Sequence, residues 1–544
     1  MNYKCKLNKI TDNFIEDYLT ACGVTNVEKY LHPNNSCYEH PMLYHNMDIA
    51  LDVFHNKIID KNVGIVKDSD MDGDCSAAII YQFCKNICDV TPKVYVHNNK
   101  QHGVHDLIEQ ILKGNHTLLI VPDAGTNDTS DFMVIKQNNP SCEILVLDHH
   151  TPLMDNPYAI VVNNQVGNVN KYLSGAGVTY KFVEAYCNKF NIETPNYKDL
   201  VGLSIVSDVC SFIPLENRAF LNECFTNPQN KFIKMLFQTL CTKRGVCPAA
   251  IGWDISPLSN ALARMEEQEY KNFFFECLVG ERNDYEEAIK EMKRIKRKQD
   301  TMVKNMVDDI EVGLDNTHKS LIEFTDAENK GLIGLCAMKL SGKYNKPTII
   351  LRPLNSTMWT GSLRSPVELL DEINESNLAQ CMGHGAACGI TVKKSNLSKL
   401  RAFLDSLELT QNIDYDICAS ILTRDITLKL CEDIKNYNVL WGNNIAKPLF
   451  HTRLQYPEVY MYRKTTTTLK LVQDGISFIK FFCDDDTIKK FENKQNLIVD
   501  IIFELDINEY NGVASPQANI VKYEIQEEQN ESNNEQFNWD EIFR

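Results

Sequence analysis

The chain has 544 residues, more than one hydrophobic core usually organises, so several domains are expected. With 43% hydrophobic and 24% charged residues, no signal-peptide run and no apolar stretch of membrane-spanning length, it reads as a soluble cytoplasmic protein with no membrane partner. A net charge of −17 argues against a protein coated in nucleic acid, though not against a local basic groove, and 19 scattered cysteines without a C-x-x-C pair read as reduced thiols rather than disulfides or zinc ligands.

From Leu19 to Asp60 the pattern is helical and predicts a cap packed on the first strand. The stretch VGIVKDSDMDGDCSAAII, residues 63–80, then reads as a buried strand, a tight turn and a helix. Asp68, Asp70 and Asp72 stand at a spacing of two, and crowded carboxylates resist burial unless a cation compensates them. Gly73 suits a turn where backbone passes close to a ligand, and the helix after it offers its N-terminus to phosphate. An EF-hand loop fails on two counts: Ile79 stands where the bidentate Glu belongs, and the preceding segment is strand-like.

Further strands are predicted at Lys93–Val96, Leu118–Val121 and Ile144–Leu147, the last two running into Asp123-Ala124-Gly125 and Asp148-His149-His150. Short apolar strands alternating with helical stretches describe an α/β domain with a parallel sheet, whose ligands gather beyond the carboxyl ends of the strands. Another apolar run, Leu203–Val206, leads to Asp208 and is read as a fourth such strand end. Aspartates and histidines converging there suit a manganese-like ion.

These residues resemble the DHH phosphoesterases, and within them the RecJ single-strand DNA exonucleases: DSDMDG, VPDAG, LDHH and SIVSDVCSFIPLENR are similar to the four motifs. LSGAGVTYKF and IGWDISPLSNALARM resemble segments particular to RecJ, and the likeness covers nearly the whole chain. It implies a two-metal phosphodiesterase that trims single-stranded DNA to mononucleotides from the end carrying a 5′-phosphate, in recombination, repair or replication. Asp70, Asp72, Asp123, His149 and Asp208 would be ligands of two Mn2+ (or Mg2+) ions, with Asp123 and Asp208 candidates to bridge. The same resemblance puts Asp68 and Asp148 in the inner support of the catalytic centre, Asp148 orienting a neighbouring His, and His150 near the scissile phosphate. Asn260, Arg264, Ser362, Arg364 and His384 would hold substrate.

Beyond Gly280 a long helix is predicted, capped by Asn283 with Glu286, with Tyr285, Ile289, Met292, Ile295, Met302, Met306 and Ile310 on its apolar face. Lys290, Lys293, Arg294, Lys296, Arg297 and Lys298 form the other face, either a solvated surface or one wall of a strand-binding channel. A second domain is expected to start near Gly313; in it GLIGLCAMKLSGKYNKPTIIL, residues 331–351, reads helix then strand and is similar to the DHH-associated domain, as are GSLRS and MGHGAACGI; Met382 stands where RecJ sequences usually carry the first of two glycines. After Asp414 the chain turns β-rich: LWGNNIAKPLF and the alternating segments beyond it resemble an oligonucleotide-binding (OB) β-barrel, with Tyr460, Tyr462, Arg463 and Lys464 as candidate strand contacts. The expected division is a catalytic domain at 1–280, a connecting helix at 281–312, a substrate-binding α/β domain at 313–405, an OB-fold at 406–525 and a disordered acidic tail at 526–544. Phe537, Trp539 and Phe543 could dock the tail on a single-strand-binding or other replication protein; the family suggests a monomer. Two competing readings are a DHH phosphodiesterase of RNA or short oligonucleotides, which would need no barrel, and a non-catalytic replication scaffold, which would not need the complete motif set.

Overall fold

The structure, a computed structural model, describes residues 1–526 apart from 99, 266–267, 328, 409–414, 464–465 and 493–496. Lys464, the side chain of His384 and the tail aromatics Phe537, Trp539 and Phe543 lie outside the described residues. The chain forms two compact units, one of Glu28–Gln411 with Gly442–Asn444, the other of Met1–Val27, Asn412–Trp441 and the described residues from Ile445 on. Among the described residues no helix is long and apolar enough to cross a membrane.

The larger unit is built on five parallel strands: β1 (Val63–Lys67), β2 (Lys93–Val96), β3 (Leu118–Pro122), β4 (Glu143–Asp148) and β5 (Ile160–Asn163), in the spatial order β2-β1-β3-β4-β5. Every residue of β1 and β3 is buried, as strands covered on both faces require. One layer packs Val66, Leu119, Val121 and Val146 against Leu107, Ile111, Phe132 and Ile135. Helix α1 (Met71–Asn86) and α2 (Gly175–Phe190) contribute to an aromatic cluster of Phe54, Phe83, Phe182 and Tyr186, with ring centroids 5.2–5.8 Å apart. The order reverses at β1: the chain leaves it towards β2 and returns on its other side as β3. Loops after β1 and β3 therefore diverge and open a crevice at their carboxyl ends.

The reading of Leu203–Val206 as a strand is corrected by the structure. Asp208 ends a helix, α3 (Lys198–Ser207), and the fifth parallel strand is β5, which carries no Asp at its end. A short apolar run looks the same as a buried strand or as a buried helical turn, and here the helix wins because α3 packs on α1 and α2.

After α4 (Ser256–Arg264) comes the long helix α5 (Tyr285–Glu311). Asp284, not Asn283, precedes its first turn and makes no side-chain cap. Its buried stripe runs through Ala288, Ile289, Met292, Ile295, Gln299 and Val303, leaving Met302 exposed, because a helix of 3.6 residues per turn drifts off a seven-residue repeat. On the basic face, Lys290, Arg294 and Lys296 pair with Glu287, Glu291 and Asp300 of the same helix. A second sheet follows: β6 (Leu321–Phe324), helix α6 (Ile333–Tyr344), β7 (Thr348–Pro353), β8 (Met358–Arg364), β9 (Ala379–His384) and β10 (Ala387–Lys393), in the order β9-β10-β8-β7-β6. Only the β6–β7 pair is parallel.

The other unit holds a seven-stranded sheet of β11 (Ala419–Ser420), β12 (Leu449–Gln455), β13 (Glu458–Arg463), β14 (Thr467–Gln473), β15 (Ile476–Lys480), β16 (Ile498–Tyr510) and β17 (Val513–Gln526), ordered β11-β12-β16-β17-β15-β14-β13. Tyr460 and Tyr462 face solvent from β13 rather than filling the interior, and Arg463 pairs with Glu492. The chain's own N-terminus joins this unit: Tyr3–Cys5 pairs in parallel with Tyr415–Ile417. No local pattern announces that pairing.

Candidate metal centre and its neighbourhood

Asp68 leaves β1, and Asp70 caps α1, its carboxylate accepting from the Gly73 amide at 3.4 Å. Gly73 is required by close approach: a β-carbon there would sit 2.6 Å from the Asp68 backbone. Asp72, in the first turn of α1 and 1% exposed, is gripped from α2 and α3. Its carboxylate accepts from the amides of Gly175 and Ala176, both at 2.8 Å, and from the Ser204 hydroxyl at 2.6 Å. An anion at a helix N-terminus is the expected arrangement.

Asp123 follows β3 with φ at +64°, a left-handed conformation that Asp tolerates better than most residues, fixed by its amide donating to the Leu147 carbonyl at 2.8 Å. It is buried, and its Oδ1 has no hydrogen-bond donor. Burial and the nearby Asp72, Asp70, Asp68 and Asp148 push its carboxyl well above the usual carboxylate range. His149 Nε2 lies 3.3 Å from Asp123 Oδ1, 3.7 Å from Asp208 Oδ2 and 3.8 Å from Asp72 Oδ2. Asp208 is pushed up to about 6 by burial and by Asp72.

Asp148 plays a different part. Its Oδ1 accepts from the amides of His149 and His150 and pairs with His150 Nδ1 at 2.8 Å, while Oδ2 accepts from the Thr126 amide. Burial would raise its carboxyl, but the hydrogen bond from His150, the charges of His150 and His149 and the Thr126 bond together outweigh it and hold the group well below the usual range; the same His150 bond lifts His150 to about 9. Asp148 thus orients the His150 ring and pins the backbone of both histidines that follow it. Asp68 pairs with His102 Nδ1 at 2.8 Å, and Lys100 Nζ lies 3.5 Å from Asp70 Oδ2. Donor atoms of Asp123, His149 and His150, of His149, Asp208 and Cys210, and of Asp68, Asp70 and His102 form three groups, each within 4.8 Å.

Sequence reasoning did not single out His102, Lys100, Ser204 or Cys210. His102 had one signal, a loop holding His97, His102 and His105 directly after β2. The clamp on Asp72 had none, since it is made largely by main-chain amides and a hydroxyl.

A basic pair gathers on the second sheet's side of the same unit. Arg364 Nη1 lies 2.7 Å from Ser362 Oγ, and α6 passes so closely that a β-carbon at Gly334 would meet Arg364 Nη2 at 2.8 Å. Arg264 ends α4, with Nη1 donating to the Asn260 carbonyl at 3.2 Å, and its own carbonyl accepts from Asn329. Burial lowers the affinity of both guanidinium groups for their protons, and Arg264 feels Arg364 as a like charge and Asp70 as an opposite one. Among the described residues no ion pair neutralises either Arg. Two such cations fit an anion. Met382, beside this region in β9, is 73% exposed.

Residues 62–205 match the N-terminal domain of the DHH family, and residues 418–522 match the RecJ OB domain. In sequence the chain is thus similar to RecJ-like proteins of the DHH family. Over 556 aligned residues the chain is 27% identical to an SPbeta prophage-derived protein of Bacillus subtilis that carries the name of a single-strand DNA-specific exonuclease, covering 92% of this chain and 94% of that one. It is 24% identical to the single-stranded-DNA-specific exonuclease RecJ of Bacillus subtilis, over 90% of this chain and 64% of the relative, and 21% identical to that of Escherichia coli, over 86% and 88%. Its fold is that of RecJ from Thermus thermophilus in complex with Mn2+, with a TM-score of 0.73 at 18% identity over 92% of this chain and 74% of that structure. RecJ structures are known with Mn2+ and with Mg2+. The residues here fit such ions: the donors are carboxylates and imidazole, they crowd so closely that the carboxyls of Asp123 and Asp208 are raised, and a buried carboxylate oxygen is left without a donor.

Proposed function

We propose that this chain is a metal-dependent exonuclease that hydrolyses single-stranded DNA to mononucleotides from the 5′ end. The observation that carries the proposal is His149 Nε2 standing within 4 Å of the carboxylates of Asp72, Asp123 and Asp208, at the switch point of a parallel sheet. Asp70, Asp72, Asp123, His149 and Asp208 would hold two Mn2+ or Mg2+ ions. When bound, such ions make water a nucleophile at neutral pH and neutralise charge on the phosphate. Asp68 and Asp148 support the centre, Asp148 by fixing the His150 imidazole and the His149 backbone amide, and His150 faces the scissile phosphate as a donor. Arg264 and Arg364, with Ser362, Asn260 and His384, receive the 5′-phosphate and so set the polarity of digestion.

The division into catalytic domain, connecting helix, substrate-binding domain, OB-fold and tail belongs to the same proposal. So do a cytoplasmic monomer and a tail that docks on a single-strand-binding protein. Substrate class is tested by comparing single-stranded DNA with RNA and duplex of matched sequence. Preference for single-stranded DNA supports the reading, and equal or better cleavage of RNA or of dinucleotides would replace it with a smaller-substrate phosphodiesterase.

A further inference from the structure

The loop that follows Asp208 is held by a segment 234 residues further along the chain. Val209 has φ at +55° and is 64% exposed. A β-branched residue resists the left-handed region, and an exposed side chain supplies no packing to keep it there, so the hold must come from the backbone and its neighbours. Helix α3 supplies part of it: the Val209 amide donates to the Val206 carbonyl at 3.3 Å and the Cys210 amide to Ile205 at 3.0 Å. The rest comes from Asn443. Its side-chain amide donates to the Val209 carbonyl at 2.6 Å, and its own carbonyl accepts from the Phe212 amide at 3.0 Å.

The neighbouring residue explains why this segment can lie so close. Gly442 rests on the buried Phe212 ring, where a β-carbon would come 2.1 Å from Cε2. Gly442–Asn444 accordingly clusters with the unit that contains Asp208, although the residues on either side of it do not. Asn443 thus brackets residues 209–212 with one donor and one acceptor, immediately after a candidate ligand whose Oδ2 must point at His149.

We propose that Asn443 is a positioning residue of the metal centre: by fixing the strained Val209 carbonyl it sets the direction in which Asp208 presents its carboxylate. This rests on the metal-centre reading given above. A residue that orients a ligand changes metal affinity even when it never touches the metal.

The test uses the full-length chain stripped of metal and titrated calorimetrically with MnCl2, with melting of the metal-free protein recorded alongside. Asn443→Ala should weaken Mn2+ binding about tenfold or more while the metal-free melting temperature stays at the wild-type value. Adding Val209→Gly to that variant should restore most of the affinity, because glycine takes positive φ without a clamp. Wild-type affinity in Asn443→Ala would overturn the proposal. So would a loss that Val209→Gly fails to recover, or one that merely follows a fall in metal-free stability. A wild-type chain that binds no Mn2+ would overturn the metal-centre reading beneath it, an outcome distinct from the others.

Discussion

A β-carbon on Gly175 would lie 2.2 Å from Oδ1 of Asp123, while the Gly175 amide donates to Asp72. One residue at the start of α2 therefore lets two candidate ligands, from β3 and from α1, share a single corner of the crevice. Gly175→Ala must displace the Asp123 carboxylate. The expected outcome is at least a tenfold loss of Mn2+ affinity in a calorimetric titration, with cleavage falling in step.

Lys67 and Asp74 form a buried ion pair at 2.6 Å behind the acidic turn, their side chains 4% and 8% exposed. Removing one partner strands the other charge, at a cost of about 3–5 kcal/mol. Lys67→Met should lower the midpoint of denaturant unfolding, and Lys67→Met/Asp74→Leu should recover much of the loss. A single variant as stable as wild type would show that Asp74 is protonated in the folded chain.

Arg264 and Arg364 are cations without carboxylate partners among the described residues. Replacing either with Ala should lower kcat/KM on 5′-phosphorylated DNA by roughly tenfold or more, about 1.4 kcal/mol, and change kcat/KM on 5′-hydroxyl DNA much less. Equal losses on both ends would assign the pair to general strand binding instead.

In the smaller unit, burial would raise the Asp500 carboxyl, but hydrogen bonds from His451 and Arg453 prevail and hold it at about 2, against an ordinary 3.8. A depressed folded-state value means that the folded chain binds this proton less readily than the unfolded chain. The stabilisation, about 2 kcal/mol, is therefore complete above pH ~4 and lost as pH falls towards 2. Asp500→Asn should be less stable than wild type at pH 7 and show a shallower decline between pH 4 and 2 in thermal melts.

How far the sequence reveals this site depends on the kind of group involved. Asp68, Asp70, Asp72, Asp123 and Asp148 stand out because buried strands run straight into charges that need compensation. Asp208 stands out as a residue but not as an element, since Leu203–Val206 carries no periodicity long enough to separate a helix from a strand. The contacts that fix those ligands leave no such mark: the Gly175 and Ala176 amides, the Ser204 hydroxyl and the Asn443 side chain are uncharged and distant in sequence. At the level of fold, the parallel sheet was legible from its apolar strands. The pairing of Tyr3–Cys5 with Tyr415–Ile417 was not, because strand pairing between distant segments has no local signature.

Divalent ions held by this acidic crevice are expected to drive cleavage from the 5′ end. Single-stranded DNA labelled at either end, with and without a 5′-phosphate, should be incubated with the full chain in Mn2+, in Mg2+ and in chelator. Metal-dependent release of mononucleotides from the 5′ end, abolished by chelator and by Asp123→Asn, is the expected result. Cleavage that survives chelator, or no cleavage of the strand in either metal, would contradict it.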